Sequence, residues 1–215
     1  HGQVVGTLLA AGAQGDVQDE EGWTPLFKAV EGGHESVVMA LLARGARVET
    51  TDADGTPPLY WAVEGGNAMV VKALLAAGAS AESKDSRGES PLHAACAKGR
   101  TEIVRALVEA GAEVTARNKE HSTPLHSAAV GGEAEIVALL VGAGAKLEAH
   151  DAYYGTPLHK AAELGKVTTA NALMEAGADI HAKDSDGWTP LFWAVEGGHG
   201  AAVAALVGRG ANVEE

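Results

Sequence analysis

A period of 33 residues runs through the chain and constrains its fold more than any other feature. Leucines that follow proline recur at this interval, and glycines recur in two further series with the same spacing. The three series are Leu26, Leu59, Leu92, Leu125, Leu158 and Leu191; Gly12, Gly45, Gly78, Gly111, Gly144, Gly177 and Gly210; and Gly33, Gly66, Gly99, Gly132, Gly165 and Gly198. Three series with one period and no insertion indicate a tandem array.

Residues 85–117 show how one unit of the array folds. Gly88 allows the positive φ that a tight turn requires, and Ser90 and Pro91 are a preferred N-cap and first residue of a helix. A second helix follows, with an apolar stripe formed by Ile103, Val104, Leu107 and Val108. Both helices are too short to persist alone in water, so each must pack on a neighbouring unit. The repeat therefore predicts a solenoid of stacked helix pairs.

The motif D-x-x-G-x-T-P-L-H-x-A-A, followed by a glycine and by I-V-x-x-L-L-x-x-G-A, resembles the ankyrin repeat. Its best copies lie at 90–93, 123–126 and 156–159. The resemblance implies an all-α solenoid of helix-turn-helix units with β-turn or hairpin fingers, and a concave face of finger tips and first helices. It divides one domain, residues 1–215, into a half repeat at 1–18 and repeats one to six at 19–51, 52–84, 85–117, 118–150, 151–183 and 184–215.

Several positions depart from the motif. His121 and Tyr154 occupy the place of the turn glycine, where a side chain is strained if φ is positive. Pro57 replaces the capping threonine of repeat two, so one hydroxyl cap is lost. Thr169 and Ala170 replace the usual branched pair in repeat five, and we predict weaker packing there.

Composition and charge exclude several classes of protein. A formal charge of −13 argues against general binding of nucleic acid, which depends on neutralising phosphates. No stretch approaches the roughly 18 consecutive apolar residues of a transmembrane helix, and no signal segment is present at the start. Cys96 is the single cysteine and cannot form an internal disulfide. We expect a cytoplasmic monomer, with the nucleus as the alternative location, that binds neither nucleic acid nor membranes.

We find no set of residues that supports catalysis, a cofactor or a metal site. Three histidines follow Pro-Leu at one repeat position, where the resemblance implies a structural role: His93, His126 and His159. His34 and Glu35 begin like a zinc-protease motif, but Val38 lies where the second histidine ligand is required. Cys96 lies where other repeats have Ala or Val, which favours a buried structural thiol. The sequence therefore predicts a protein without enzymatic activity.

Aromatic residues mark a candidate binding surface. All of them lie in fingers or first helices, and none lies in repeats three and four. Trp61 and Trp193 follow the histidine position and should point to the concave side, whereas Trp23 and Trp188 lie on fingers. Tryptophan is frequent at interface hot spots, so these four are candidate anchors for a partner. The alternative is that each one covers the apolar turn of its neighbour.

Acidic side chains lie one helical turn from these tryptophans. We hypothesise that a protein or peptide partner, basic or of mixed charge, lies along Trp23, Glu31, Trp61 and Glu64; ordinary solubilising charge is the alternative. The full set of candidate partner-binding residues is Trp23, Glu31, Trp61, Glu64, Arg87, Tyr153, Lys160, Trp188 and Trp193. The function predicted first is therefore non-catalytic protein–protein recognition.

Two other interpretations stay open. The chain begins inside a second helix near Val4 and stops without a polar capping unit, which favours a fragment, or a regulatory or targeting module, of a larger polypeptide. The sequence WAVEGG at 61–66 and 193–198 and KAVEGG at 28–33 are nearly identical. Such identity is also typical of a structural or engineered stack without a natural ligand.

Overall fold

The computed structural model of the chain describes residues 2–53 and 55–213, which form thirteen α-helices and no strand. The first helices of successive pairs are α2 (Pro25–Glu31), α4 (Pro58–Gly65), α6 (Pro91–Ala97), α8 (Pro124–Gly131), α10 (Pro157–Glu163) and α12 (Pro190–Glu196). The second helices are α1 (Gly2–Ala10), α3 (Glu35–Leu42), α5 (Ala68–Ala76), α7 (Thr101–Glu109), α9 (Ala134–Gly142), α11 (Val167–Glu175) and α13 (Gly200–Gly208). Helix α1 precedes the first complete pair.

The helices stack in two layers. Each first helix packs on the first helix of the next pair, and each second helix packs on the next second helix, beginning with α1 on α3. The two helices of a pair also contact each other, as α6 does with α7. This arrangement confirms the predicted all-α solenoid. The fingers between pairs are hydrogen-bonded turns, without β-strands in the described residues.

The first helices begin as the sequence predicts. Each has proline at its start, where no backbone N–H is needed. In α2 the Thr24 hydroxyl accepts a hydrogen bond from the Phe27 N–H at 3.2 Å. In α4 the N-cap is Pro57, which makes no side-chain hydrogen bond, so the predicted loss of a cap is confirmed.

One side-chain oxygen organises each finger. Asp85 Oδ1 accepts hydrogen bonds from the N–H groups of Arg87 and Glu89 at 2.9 and 2.8 Å. The other fingers make the second of these bonds, from the N–H four residues on, with Asp19, Asp52, Asn118, Asp151 and Asp184 as acceptors. Neighbouring fingers are joined through the backbone, for example by the Lys119 N–H to the Arg87 carbonyl at 3.0 Å.

The turn position of the finger has a positive φ in every repeat. It is glycine in repeats one to three and six, for example Gly88 with a φ of 76°. His121 and Tyr154 adopt the same conformation, with φ values of 59° and 61°. The predicted strain is therefore present in the fingers of repeats four and five, because side chains disfavour this region.

The core is aliphatic and lies between the helix layers. The leucine of each Pro-Leu pair is buried, and so are inward-facing branched residues of the second helices such as Ile103 and Ile136. Thr169 and Ala170 in α11 are also fully buried. The Thr169 hydroxyl has no hydrogen-bond partner among the described residues, which is a destabilising feature of repeat five; the weaker packing expected there stays a prediction.

Candidate partner-binding face

The histidines after Pro-Leu join one repeat to the next. His126 Nδ1 accepts a hydrogen bond from the Thr123 N–H at 3.1 Å, and its Nε2 lies 3.1 Å from the Gly155 carbonyl oxygen in the following finger. Because Nδ1 accepts, the proton is assigned to Nε2, which donates to that carbonyl. His93 and His159 make the same pair of contacts. Their structural role follows directly from these bonds.

Two of the tryptophans are tied to the finger of their own repeat. The Trp61 indole N–H donates to Asp52 Oδ2 at 3.0 Å, and the Trp193 indole N–H donates to Asp184 Oδ2 at 2.8 Å. Burial acts to raise the pKa of Asp184, but the bonds from Trp193 and from backbone N–H groups hold it below its usual range. Both indoles are half-buried and fixed in orientation.

In the finger of repeat three, the aspartate accepts hydrogen bonds from an arginine and a tyrosine instead of a tryptophan. Asp85 Oδ2 accepts hydrogen bonds from the Arg87 Nε at 3.2 Å and from the Tyr60 hydroxyl at 3.1 Å. Arg87 also pairs with Glu89, Nη2 to Oε2 at 2.8 Å. Burial and the adjacent Asp85 carboxylate raise the pKa of Tyr60, so this phenol stays a hydrogen-bond donor. Arg87 is thus held by two carboxylates of its own finger.

Aromatic side chains fill the face at repeats one and two. The rings of Trp23 and Phe27 meet edge to face with centroids 4.3 Å apart, and Trp61 lies 6.3 Å from Phe27. The Lys28 ammonium lies 3.8 Å from the centre of the Trp23 ring and 3.4 Å from a Glu31 carboxylate oxygen. Lys28 thus makes a cation–π contact with Trp23 and an ion pair with Glu31.

The face opens at repeats three and four, where first helices carry small side chains. A groove of about 470 Å³ lies there, above Ala94, Ala97, Ser127 and Val130. Its charged walls are Glu64, Arg87, Glu89, Lys98, Glu120 and Lys160. Glu64 and Lys98 form an ion pair across repeats, with Nζ and Oε2 3.0 Å apart.

A second opening lies between the fingers of repeats five and six. This cleft of about 290 Å³ has an aromatic wall, Tyr153 and Trp193, and acidic side chains at its rim. Tyr153 is 74% exposed. Lys160, whose Nζ lies 2.7 Å from Glu163 Oε2, lines both the cleft and the groove, so the two spaces adjoin.

Eight of the nine candidate residues lie in or between three places. Trp23, Glu31 and Trp61 belong to the filled N-terminal cluster, Glu64 and Arg87 line the groove, and Tyr153 and Trp193 line the cleft, with Lys160 between the two spaces. Trp188 stacks on Phe192, with ring centroids 4.2 Å apart, and its edge meets Trp193.

Sequence reasoning missed the acidic rim of the cleft, Asp151, Asp184 and Asp186, and the small-residue floor of the groove. The sequence did contain a signal for the position of Asp184. An aspartate precedes a tryptophan by nine positions at both Asp52–Trp61 and Asp184–Trp193, and in both pairs it accepts the indole N–H.

Other candidate chemistry has little geometric support within the described chain. Burial raises the pKa of the Cys96 thiol, which is fully enclosed and therefore a poor nucleophile. No group of three or more His, Cys, Asp or Glu side chains in residues 2–53 and 55–213 is placed to hold a metal ion. Over the same residues, no helix has the length and apolar character needed to cross a bilayer.

Comparison with protein families agrees with this architecture. The family model for ankyrin repeats, three copies, matches residues 1–85, 70–151 and 145–215. The chain belongs to the ankyrin-repeat family. No curated protein matches it as a relative.

Ankyrin repeats generally mediate protein–protein interactions and are typically not enzymes. In this ankyrin-repeat chain the fingers and first helices form one surface, called the finger face below. It is filled by aromatic side chains at repeats one and two and open from repeat three to repeat six.

Proposed function

We propose that this chain is a non-catalytic protein-recognition module, and that a partner segment binds in the groove and cleft of the finger face. The observation that carries the proposal is the run of small side chains at Ala94, Ala97 and Ser127, which leaves room on a surface that aromatic side chains fill at repeats one and two. Val130, 42% exposed on the groove floor, offers an apolar contact. Concave, mostly preformed spaces of this kind are where ligands are bound.

The charges of the groove favour a segment of mixed charge. Arg87 and Glu89, and Lys98 and Glu64, already pair with each other at the walls, and their ion pairs are partly exposed. Partly exposed pairs are worth little by themselves and can exchange partners at small cost. An extended segment with both signs of charge can therefore replace some of these pairs while its apolar side chains cover Val130.

A random peptide library displayed on phage tests this proposal. Peptides selected on the wild-type chain are measured against Val130→Arg, which narrows the groove and adds a charge. We expect at least a tenfold loss of affinity, about 1.4 kcal/mol. The control is Met69→Arg, which adds the same charge at an exposed residue of α5, away from the finger face.

Both variants change exposed residues, so neither should disturb the fold. Peptides that bind Val130→Arg as tightly as the wild-type chain, or that lose affinity equally with Met69→Arg, would contradict the proposal.

A further inference from the structure

The cleft between repeats five and six has acidic groups on both adjoining fingers. Asp151 lies on the finger of repeat five, and Asp184 and Asp186 lie on the finger of repeat six. Tyr153 and Trp193 provide aromatic surface within the same 290 Å³ space. The cleft thus has an aromatic wall and a negatively charged rim.

The aspartates at the rim of this cleft, Asp151, Asp184 and Asp186, form no ion pair within residues 2–53 and 55–213. Asp151 Oδ1 accepts the N–H groups of Tyr153 and Gly155 at 2.8 and 2.9 Å, but its Oδ2 has no hydrogen-bond partner within residues 2–53 and 55–213. Lys160, the cation that lines the cleft, is bound to Glu163. Asp186 makes no ion pair with any described residue either. The negative charge around the opening is therefore available to a partner.

Repeat three shows what such an aspartate binds when a cation is present. There, Asp85 Oδ2 accepts the Arg87 Nε at 3.2 Å. Residues 151 and 153 occupy the same repeat positions as 85 and 87, so the chain places Tyr153 where repeat three has its arginine. Repeat five thus keeps the carboxylate and replaces the internal guanidinium by an exposed aromatic ring.

We propose that this cleft binds the guanidinium group of an arginine from a partner segment. The guanidinium donates to Asp151 Oδ2 and its plane lies against Tyr153, which is 74% exposed, while Asp186 adds attraction from the opposite finger. Guanidinium groups both donate in a fixed fork and stack on aromatic rings, which the compact ammonium of lysine does not do. This inference rests on the proposed function, because the arginine belongs to the bound segment.

The probe is a small arginine derivative, N-acetyl-arginine methylamide, with N-acetyl-lysine methylamide as the comparison. Each is titrated into the ¹⁵N-labelled chain, whose four tryptophans give four indole N–H signals. We expect the arginine probe to shift the Trp193 signal and to leave Trp61 unchanged. Trp61 is the internal control, since it has the same bond to a finger aspartate but lies outside the cleft.

Asp151→Asn tests the residue that carries the inference. Asparagine keeps the Oδ1 acceptor, and Asn118 already holds the neighbouring finger in this way, so the fold should be retained. We expect binding of the arginine probe to weaken about fivefold, because a charge-assisted bond becomes a neutral one. Asp19→Asn removes the same charge from the finger of repeat one and should leave binding unchanged.

Equal shifts with the lysine probe, equal shifts of Trp61 and Trp193, or unchanged binding by Asp151→Asn would each overturn the inference. Different results would contradict the proposed function. If selected peptides depend on Val130 while the arginine probe does not bind, recognition by the groove stands and the arginine cleft is wrong. If the probe binds but selected peptides ignore Val130→Arg, the cleft stands and recognition by the groove is wrong.

Discussion

The middle repeats of the solenoid and the flanking repeats carry different residues at the position after Pro-Leu. After Pro-Leu, repeats three to five have histidine, whose two ring nitrogens join the helix start to the finger of the next repeat, as in His126. Repeats one, two and six have Phe27, Tyr60 and Phe192, and the two phenylalanines pack against the rings of Trp23 and Trp188. Histidine links repeats by polar bonds, whereas phenylalanine covers its own finger. Among the linked repeats, three and four carry small side chains on the finger face, and the groove lies there.

Acid should weaken the linked repeats first, and this is the largest effect we expect. Burial lowers the pKa of His126 to about 4, and it also lowers the pKa values of His93 and His159. The unfolded chain takes up these protons near pH 6.5, so it binds more protons than the folded chain between pH 6.5 and 4. Stability should therefore fall as the pH falls through this range, by roughly 3 kcal/mol for His126 alone.

Urea unfolding at pH 7, 6, 5 and 4 measures this loss. A free energy of unfolding that stays constant from pH 7 to pH 5 would show that the buried histidines do not limit stability.

Replacing a linking histidine by the aromatic residue of the flanks should cost less. His126→Phe removes both ring-nitrogen bonds and leaves the Gly155 carbonyl with one donor fewer, so we expect a loss of about 2 kcal/mol at pH 7. The variant should also lose less stability than wild type between pH 7 and 5, since one titrating group is gone. Urea unfolding at both pH values checks the two effects together. A variant as pH-sensitive as the wild-type chain would contradict the assignment of the acid effect to His126.

The fold could be predicted from the sequence because each repeat encodes its own turn and helix starts. Gly88, Ser90 and Pro91 act locally, and six copies in register remove the ambiguity of any single one. The openings could not be predicted in this way. The cleft forms because side chains of adjoining fingers face the same space, such as Asp151 of repeat five and Asp184 of repeat six, and no pattern within one repeat records that.

Repeat five can be made more like repeats three and four by one substitution. Thr169→Val removes the buried hydroxyl that has no partner in the described chain and places an apolar branched residue where repeats three and four have Ile103 and Ile136. We expect stability to rise by about 1 kcal/mol, because the hydroxyl no longer has to be desolvated. Thr168→Val, on the exposed side of the same helix, is the control and should change stability little. Equal effects of both substitutions in urea unfolding would argue against a specific cost at Thr169.

The smallest expected effect concerns the helix start of repeat two. Pro57→Thr restores the hydroxyl that caps α2 and α12, where Thr24 and Thr189 accept the backbone N–H three residues on at 3.2 and 3.4 Å. A threonine cap contributes about 1 kcal/mol, but the loss of proline frees the unfolded chain, so we expect a net gain of about 0.5 kcal/mol. Thr24→Pro makes the reverse change in repeat one and should destabilise. If urea unfolding shows that both substitutions lower stability, Pro57 is suited to its own repeat, and repeat two differs from the other flanking repeats in the backbone at its helix start.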